Sequence, residues 1–487
     1  MRHCPLLLLV LVGCRAATPA PGIEEVMLEG RGSFFYLERA APRGPRHALP
    51  VGLFDSGTGG LTVLEAVVTL DAFNNDTHAE GADGRPDFAR EELVYLGDQA
   101  NMPYGVYDKQ GRLALLQEHI LKDAQFLLGT RYYPTADAAE PATDKRPVKV
   151  IVIACNTATA YGQQIIERVI RRAGLKVAVI GVIGAGARAA LGTLPAGASS
   201  VGVLATAGTV ASGGYVRALQ REAAARGRRL RVFQQAGVGL AGAIDGAAEH
   251  IQPKGRRPRP GYRGPALNPE LLRRYGLDWS EGRMLFEGTP ERPRSAQLNA
   301  VENYIAFHLV SLLEQMRAAP DPVPPLRALI LGCTHYPFYK GTFRAVLARL
   351  YDYQENGGYP YRPLLAQKVA LIDPAEGTAR ELYRHLVRAR LLNRSQLERS
   401  EFYISVPNRA LPGIRLGGDG ELTYRYKYGR TAGQIQQYVK RVPFSRRSLS
   451  ADAIQRIERK TPRAYSLIRA FNRQSPKARH LGDGERI

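Results

Sequence analysis

Two short apolar runs, each stopping at a small residue and then a cysteine, constrain this chain more than any other feature. Val148-Lys-Val-Ile-Val-Ile-Ala-Cys155 leads into Asn156 and Thr157, and Leu326-Arg-Ala-Leu-Ile-Leu-Gly-Cys333 leads into Thr334 and His335. Such runs read as strands buried on both faces of a parallel sheet, and the carboxyl ends of those strands are where open α/β sheets carry their chemistry. A second pair matches the first. Val51-Gly-Leu-Phe-Asp55-Ser56 and Val201-Gly-Val-Leu-Ala-Thr206 are Val-Gly strands closing on a hydroxyl-bearing turn, and each precedes a cysteine strand. The order hydroxyl turn, cysteine, hydroxyl turn, cysteine predicts an α/β protein. Its two pseudo-symmetric lobes, with mainly parallel sheets, face each other across a cleft.

Two thiols delivered from opposite sides of one site suit the removal of a proton from one face of a carbon and the return of a proton to the other. The rest of the cysteine count agrees. Cys4 and Cys14 lie near the amino terminus, which leaves only Cys155 and Cys333 in the body of the chain. That is too few for a disulfide framework, and without a CxxC partner they make a poor zinc site. No metal is expected.

The amino terminus reads as a targeting segment. A basic start, Met1-Arg2-His3, precedes the apolar run Leu6 to Val12, which suits a signal-peptide core and is too short to span a bilayer. Leu11-Val12-Gly13-Cys14 resembles the lipobox of bacterial lipoproteins, with Cys14 as the acylated residue. Residues 1–22 are therefore assigned to a leader and tether, and the chain is expected to be exported, membrane-anchored or periplasmic. A cytoplasmic location is the alternative if the leader is spurious.

The 487 residues suffice for two or three domains, and 45% hydrophobic with 23% charged residues is ordinary for a globular protein. The formal net charge of +22 is not ordinary and favours anionic partners. No nucleic-acid-binding signature accompanies it, so nucleic acid is disfavoured as a partner. Residues 391–487 carry 20 Lys and Arg against 8 Asp and Glu. They read as a small basic C-terminal extension, with a strand near Tyr424 and a helix over 451–459, suited to an anionic envelope surface. The first lobe is assigned to 49–177 with 334–390, and the second to 178–333. Residues 251–296, rich in Pro and Arg at their start, form an insertion in the second lobe, and a strand is expected over 32–38 in the lead-in.

Four segments carry a family resemblance. They are Phe54-Asp55-Ser56-Gly57-Thr58-Gly59-Gly60-Leu61, Gly97-Asp98 to Pro103-Tyr104-Gly105, Ala154-Cys155-Asn156-Thr157, and Gly332-Cys333-Thr334-His335-Tyr336-Pro337. Together, over roughly residues 49–390, they resemble glutamate racemase, the PLP-independent member of the aspartate/glutamate racemase superfamily. The resemblance implies a cofactor-free isomerase, a homodimer, that interconverts L- and D-glutamate and serves peptidoglycan synthesis for the cell wall. It implies two-base catalysis by Cys155 and Cys333, with Asp55 assisting the first and His335 the second. It assigns Asn156, Thr157 and Thr334 to the substrate α-carboxylate. Pro103, Tyr104, Gly105 and Thr206 go to the distal carboxylate, and Asp55 and Ser56 to the amino group.

Departures from the pattern bear on these expectations. Asp245 stands where the family has a Glu supporting its histidine, and Thr58 replaces a small aliphatic residue. The leader, the insertions and the basic tail are unlike a compact cytoplasmic enzyme. Gly184-Ala-Gly186-Ala-Arg188-Ala follows a strand and hints at a dinucleotide site. The acidic residue that fingerprint needs is missing from Val201 to Thr206, so a packing helix is expected there. The rival readings are a racemase for aspartate or a broader set of acidic amino acids, and a catalytically silent envelope binding protein of the same fold.

Overall fold

A computed structural model describes residues 22–38 and 44–487. Cys14 and most of the leader lie outside the described residues. Among the described residues, twelve strands form two large sheets and one hairpin. The first sheet holds β1 (Val51–Asp55), β2 (Leu93–Gly97), β3 (Val150–Ile153) and β4 (Ala178–Gly181). The second holds β5 (Ser199–Ala205), β6 (Leu230–Ala236), β9 (Leu326–Gly332) and β10 (Leu365–Ile372), and β7 (Met284–Thr289) pairs only with β8 (Arg292–Leu298). Two more strands, β11 (Glu401–Pro407) and β12 (Val439–Pro443), join the first sheet, giving the order β12-β11-β2-β1-β3-β4. The second sheet runs β10-β9-β5-β6, and every pairing in both sheets is parallel except β11 with β12.

The apolar runs become central strands because both of their faces are covered. Along β1 and β3, Val51, Leu53, Val150 and Val152 pack on one face, while Phe54, Ile151 and Ile153 pack on the other. Helices Leu61–Thr69 and Pro374–Arg388 cover the first face, and Leu113–Leu128 and Asn156–Arg172 the second. The second sheet repeats the scheme. Leu204, Leu329 and Leu331 meet helix Val301–Arg317, while Val203, Ala205 and Ile330 meet helices Val182–Gly192 and Gly214–Ala224.

Register places the chemistry. Phe54 pairs with Ile153, so β1 and β3 end level, and Asp55-Ser56 lies beside Ala154-Cys155. Ala205 pairs with Gly332, which sets Thr206 beside Cys333. Each lobe thus carries one hydroxyl turn and one cysteine at the carboxyl edge of its sheet.

Several expectations differ from the structure. The sheets do not divide at 177/178: β4 belongs to the first sheet, and β10, placed in the first lobe by the sequence, pairs with β9 in the second. The C-terminal segment is no appendage. β11 pairs with β2, and Phe402, Ile404, Val442, Phe444 and Phe471 lie in the same core as β1. Tyr424–Gly429 is a helix, capped by Thr423, and not a strand, whereas a helix does span Ala451–Lys460. Residues 32–38 form no strand. Helix Ile23–Glu29 precedes a turn, and Leu37 bonds back to Met27 at 2.9 Å while both pack into the first sheet's core without joining its ladder. Within 251–296 the early Pro- and Arg-rich stretch is irregular, but β7 and Tyr275 pack into the second lobe's core. Gly184 to Arg188 lies inside helix Val182–Gly192, where Gly186 approaches Pro374, so the segment is a packing helix. Among the described residues no helix is long and apolar enough to cross a membrane.

Candidate active site

Cys155 is the N-cap of helix Asn156–Arg172, and its Sγ accepts the Ala158 N–H at 3.4 Å. The free N–H groups and dipole of a helix amino terminus favour negative charge there. Ser56 Oγ lies 3.7 Å from the same sulfur. Asp55 is buried beside it, its Oδ2 accepting N–H groups from Gly60 at 2.9 Å and Gly57 at 3.1 Å. Burial raises the Asp55 carboxyl above its usual range against the pull of those bonds. Burial, and then the Asp55 charge, push the Cys155 thiol up to about 12. That high, the sulfur holds its proton at neutral pH.

The Cys333 side is built differently. Cys333 Sγ lies 3.5 Å from His335 Nδ1, and His335 Nε2 lies 3.2 Å from Asp245 Oδ2. Burial of His335 opposes its charge, but the bonds to Asp245 and Cys333 outweigh it, and the imidazole is pushed up to about 10. Burial tends to raise Asp245 as well, yet its bond to His335 and the charges of Arg456 and Lys460 keep it below the usual carboxylate range. One thiol therefore has a carboxylate beside it and the other a proton-carrying imidazole, which is the asymmetry that a two-sided proton transfer needs. Both cysteines are buried free thiols.

The lobes meet around these groups. A side chain on Gly59 would come within 2.9 Å of Thr334 Oγ1, 3.5 Å of His335 Cε1 and 3.6 Å of Asp55 Oδ2. Only a glycine lets the first lobe's turn lie this close to the second lobe's Thr334-His335. A side chain on Gly208 would stand 2.9 Å from Gly105 Cα, so the Pro103-Tyr104-Gly105 turn meets the Thr206 turn backbone to backbone. Thr206 caps helix Ala207–Ala211, its Oγ1 3.0 Å from Thr209 Oγ1. Thr157 is buried in the first turn after Cys155, and Asn156 Oδ1 accepts a hydrogen bond from Tyr215 across the cleft at 2.8 Å.

The Tyr104 side chain turns away from the cleft. Its hydroxyl lies 2.6 Å from Asp98 Oδ2 and 2.7 Å from Asp123 Oδ2 in the first lobe's core, so it is not available to a ligand in the cleft. What the turn offers there is backbone N–H. Two hollows lie on the Cys333 side of the site, and neither is lined by Cys155. One of about 240 Å³ touches Asn156, Cys333, Thr334 and Lys460. The other, about 270 Å³, is lined by Thr58, Asp245 and His335 and by Glu421, Arg456 and Lys460 of the C-terminal segment. A larger hollow of about 640 Å³, near His78 and Arg394, includes neither cysteine.

Tyr215, Arg456 and Lys460 escaped the sequence reading. Tyr215 sits in an ordinary amphipathic helix, and the two cations are lost among the many of the tail. Among the described residues no group of three or more His, Cys, Asp or Glu is arranged to hold a metal ion.

No protein-family model matches the chain. Over 345 residues, 71% of this chain and 82% of the relative, it is 29% identical to a glutamate racemase of Thermus thermophilus. Over 172 residues, 35% of this chain and 48% of the relative, it is 33% identical to the glutamate racemase of Limosilactobacillus fermentum. A solved glutamate racemase of Thermus thermophilus, in complex with β-chloro-D-alanine, is 27% identical with a TM-score of 0.40, covering 74% of this chain and 88% of that one.

Proposed function

With the chain standing in the aspartate/glutamate racemase superfamily and being an amino-acid isomerase, we propose that it interconverts L- and D-glutamate by proton transfer between two cysteines, without PLP. One observation carries this reading: Cys155 and Cys333 end level with a hydroxyl turn on opposing sheets, each with its own titratable partner. In one direction the sulfur on one side, as thiolate, takes the α-proton. The thiol on the other side then donates its proton to the opposite face of the carbanion. The bond broken at one face is replaced at the other, and net charge is unchanged. Asp55 serves as proton acceptor for Cys155, and His335 as donor and acceptor for Cys333. The N–H groups of Asn156 and Thr157, at a helix amino terminus, suit the α-carboxylate, whose charge grows as the carbanion forms. The distal carboxylate falls to Gly105 and the Thr206 turn, and the amino group to Asp55 and Ser56.

Circular dichroism of the purified protein with each enantiomer of glutamate and aspartate, without added PLP, tests this reading. Decay of the glutamate signal alone is expected. Faster decay with aspartate would move the assignment to an aspartate or broader acidic racemase, and no decay with any of the four would leave a silent binding protein.

For location we propose export and lipid anchoring at Cys14, with a role in the cell envelope, and a homodimeric assembly. The Leu11-Val12-Gly13-Cys14 pattern supports the anchoring. Membrane fractionation of wild type against Cys14→Ser tests it, and unprocessed protein in the cytosol would reject it. Sedimentation of the mature protein reads the assembly state.

A further inference from the structure

We propose that Arg456, supplied by the C-terminal segment, is a positioning residue for the Cys333 side of the site, holding one carboxylate oxygen of Asp245 so that the other faces His335. Asp245 Oδ2 lies 3.2 Å from His335 Nε2, and Asp245 Oδ1 lies 3.8 Å from Arg456 Nε. The second contact is an ion pair and not a hydrogen bond. Asp245 is the last residue of the short helix Leu240–Asp245, and Gly246 follows it with φ of 72°. Helix geometry alone leaves its carboxyl free to turn. A cation at one oxygen and an imidazole at the other select one orientation.

The placement of Arg456 follows from how its helix packs. Ser450 caps Ala451–Lys460, and Ala453, Ile454 and Ile457 bury the apolar side in the first lobe's core. Arg456 and Lys460, four residues apart, share another face and line the hollow beside His335. Lys460 Nζ rests 4.3 Å above the Phe338 ring of the second lobe. The following helix is tied to the first lobe, where Glu65 accepts N–H groups from Arg463 at 3.1 Å and Ala464 at 2.8 Å. Arg456 is therefore mounted on one lobe and reaches a carboxylate of the other, so the ion pair spans the two.

The charged and titratable groups around His335 are Cys333 and Asp245 from the second lobe and Asp55 from the first. Arg456 and Lys460 act through Asp245, and Glu421 lines the same hollow. The Asp245 bond is what holds the proton on His335, so freeing the carboxyl to turn by removing Arg456 should loosen the imidazole's hold on its proton.

The test titrates His335 by ¹³C-histidine NMR and measures racemisation for wild type, Arg456→Gln, Arg456→Lys and Arg463→Gln. Arg463 lies seven residues beyond, on the next helix, pairs with Glu398 at 3.6 Å, and serves as the structural control. Because Arg456 is partly exposed and screened, Arg456→Gln should lower the His335 midpoint by about 0.2–0.7 units and lower kcat about two- to fivefold. KM should stay unchanged, Arg456→Lys should restore most of both effects, and Arg463→Gln should change neither. An unmoved or raised His335 midpoint in Arg456→Gln, or equal changes in Arg463→Gln, would overturn the proposal. The kinetic arm rests on the racemase reading. If wild type racemises nothing, that reading fails by itself, while the titration still decides the role of Arg456.

Discussion

The two sulfurs differ in everything except their burial and their place at a strand end. Cys155 has a buried carboxylate for a neighbour, whereas Cys333 has an imidazole charged through Asp245. In the proposed mechanism neither can replace the other, because each would face one side of the α-carbon and is served by its own partner. Cys155→Ala and Cys333→Ala are each expected to lower racemisation at least 10²-fold in both directions, read by circular dichroism from either enantiomer. Near wild-type rates in either variant would remove the two-base assignment. The pH dependence follows from His335. Its charged form is present below about 10 and is lost as pH rises through that value, so kcat should fall on the alkaline side near pH 10. Asp245→Asn removes a partner that holds this proton, so the fall should move to lower pH. A limb that stays in place would show that His335 does not govern it.

At the level of elements, the C-terminal segment is the largest surprise. β11 continues the first sheet beyond β2, and β12 closes that edge. Its helix Tyr424–Gly429 then clamps the turn that ends in Gly105. Lys427 Nζ donates to Met102 O at 2.6 Å, Tyr428 to Pro103 O at 3.3 Å, and Arg430 to Asn101 Oδ1 at 3.0 Å. Removing such a segment should uncover a core face and not merely trim a tail. Phe402 lies between Tyr95, Phe444 and Phe471, fully buried. Phe402→Ala is expected to cost about 3–5 kcal/mol in chemical denaturation, a cavity penalty. A loss below about 1 kcal/mol would mean that the extension folds apart from the first lobe.

At the level of the molecule, catalysis in this reading depends on two lobes held at backbone contact. Gly208→Ala places a methyl 2.9 Å from Gly105 Cα, and backbone on both sides has little room to yield. We expect kcat/KM to fall at least about tenfold with the thermal midpoint little changed; retained activity would mean that the lobes close by another surface. The excess positive charge also looks different in three dimensions. Arg441 pairs with buried Asp123, Lys477 with Glu401, and Lys440 donates to the carbonyls of Ala136 and Ala138. Part of the tail's charge is thus internal and unavailable to an anionic surface. What the sequence determined by itself was local: apolar runs that become strands, the residue at each strand's end, and a motif order that repeats once per lobe. These were legible because a strand's burial and the turn after it are written in neighbouring residues. The tertiary structure alone decided which sheet β10 joins, that the basic tail completes the first sheet, that the Tyr104 hydroxyl turns into the core, and that Arg456 meets Asp245. Each of these is a pairing between segments far apart in the chain. Shape and charge complementarity select such partners only after the intervening elements have packed, and composition carries no record of that choice.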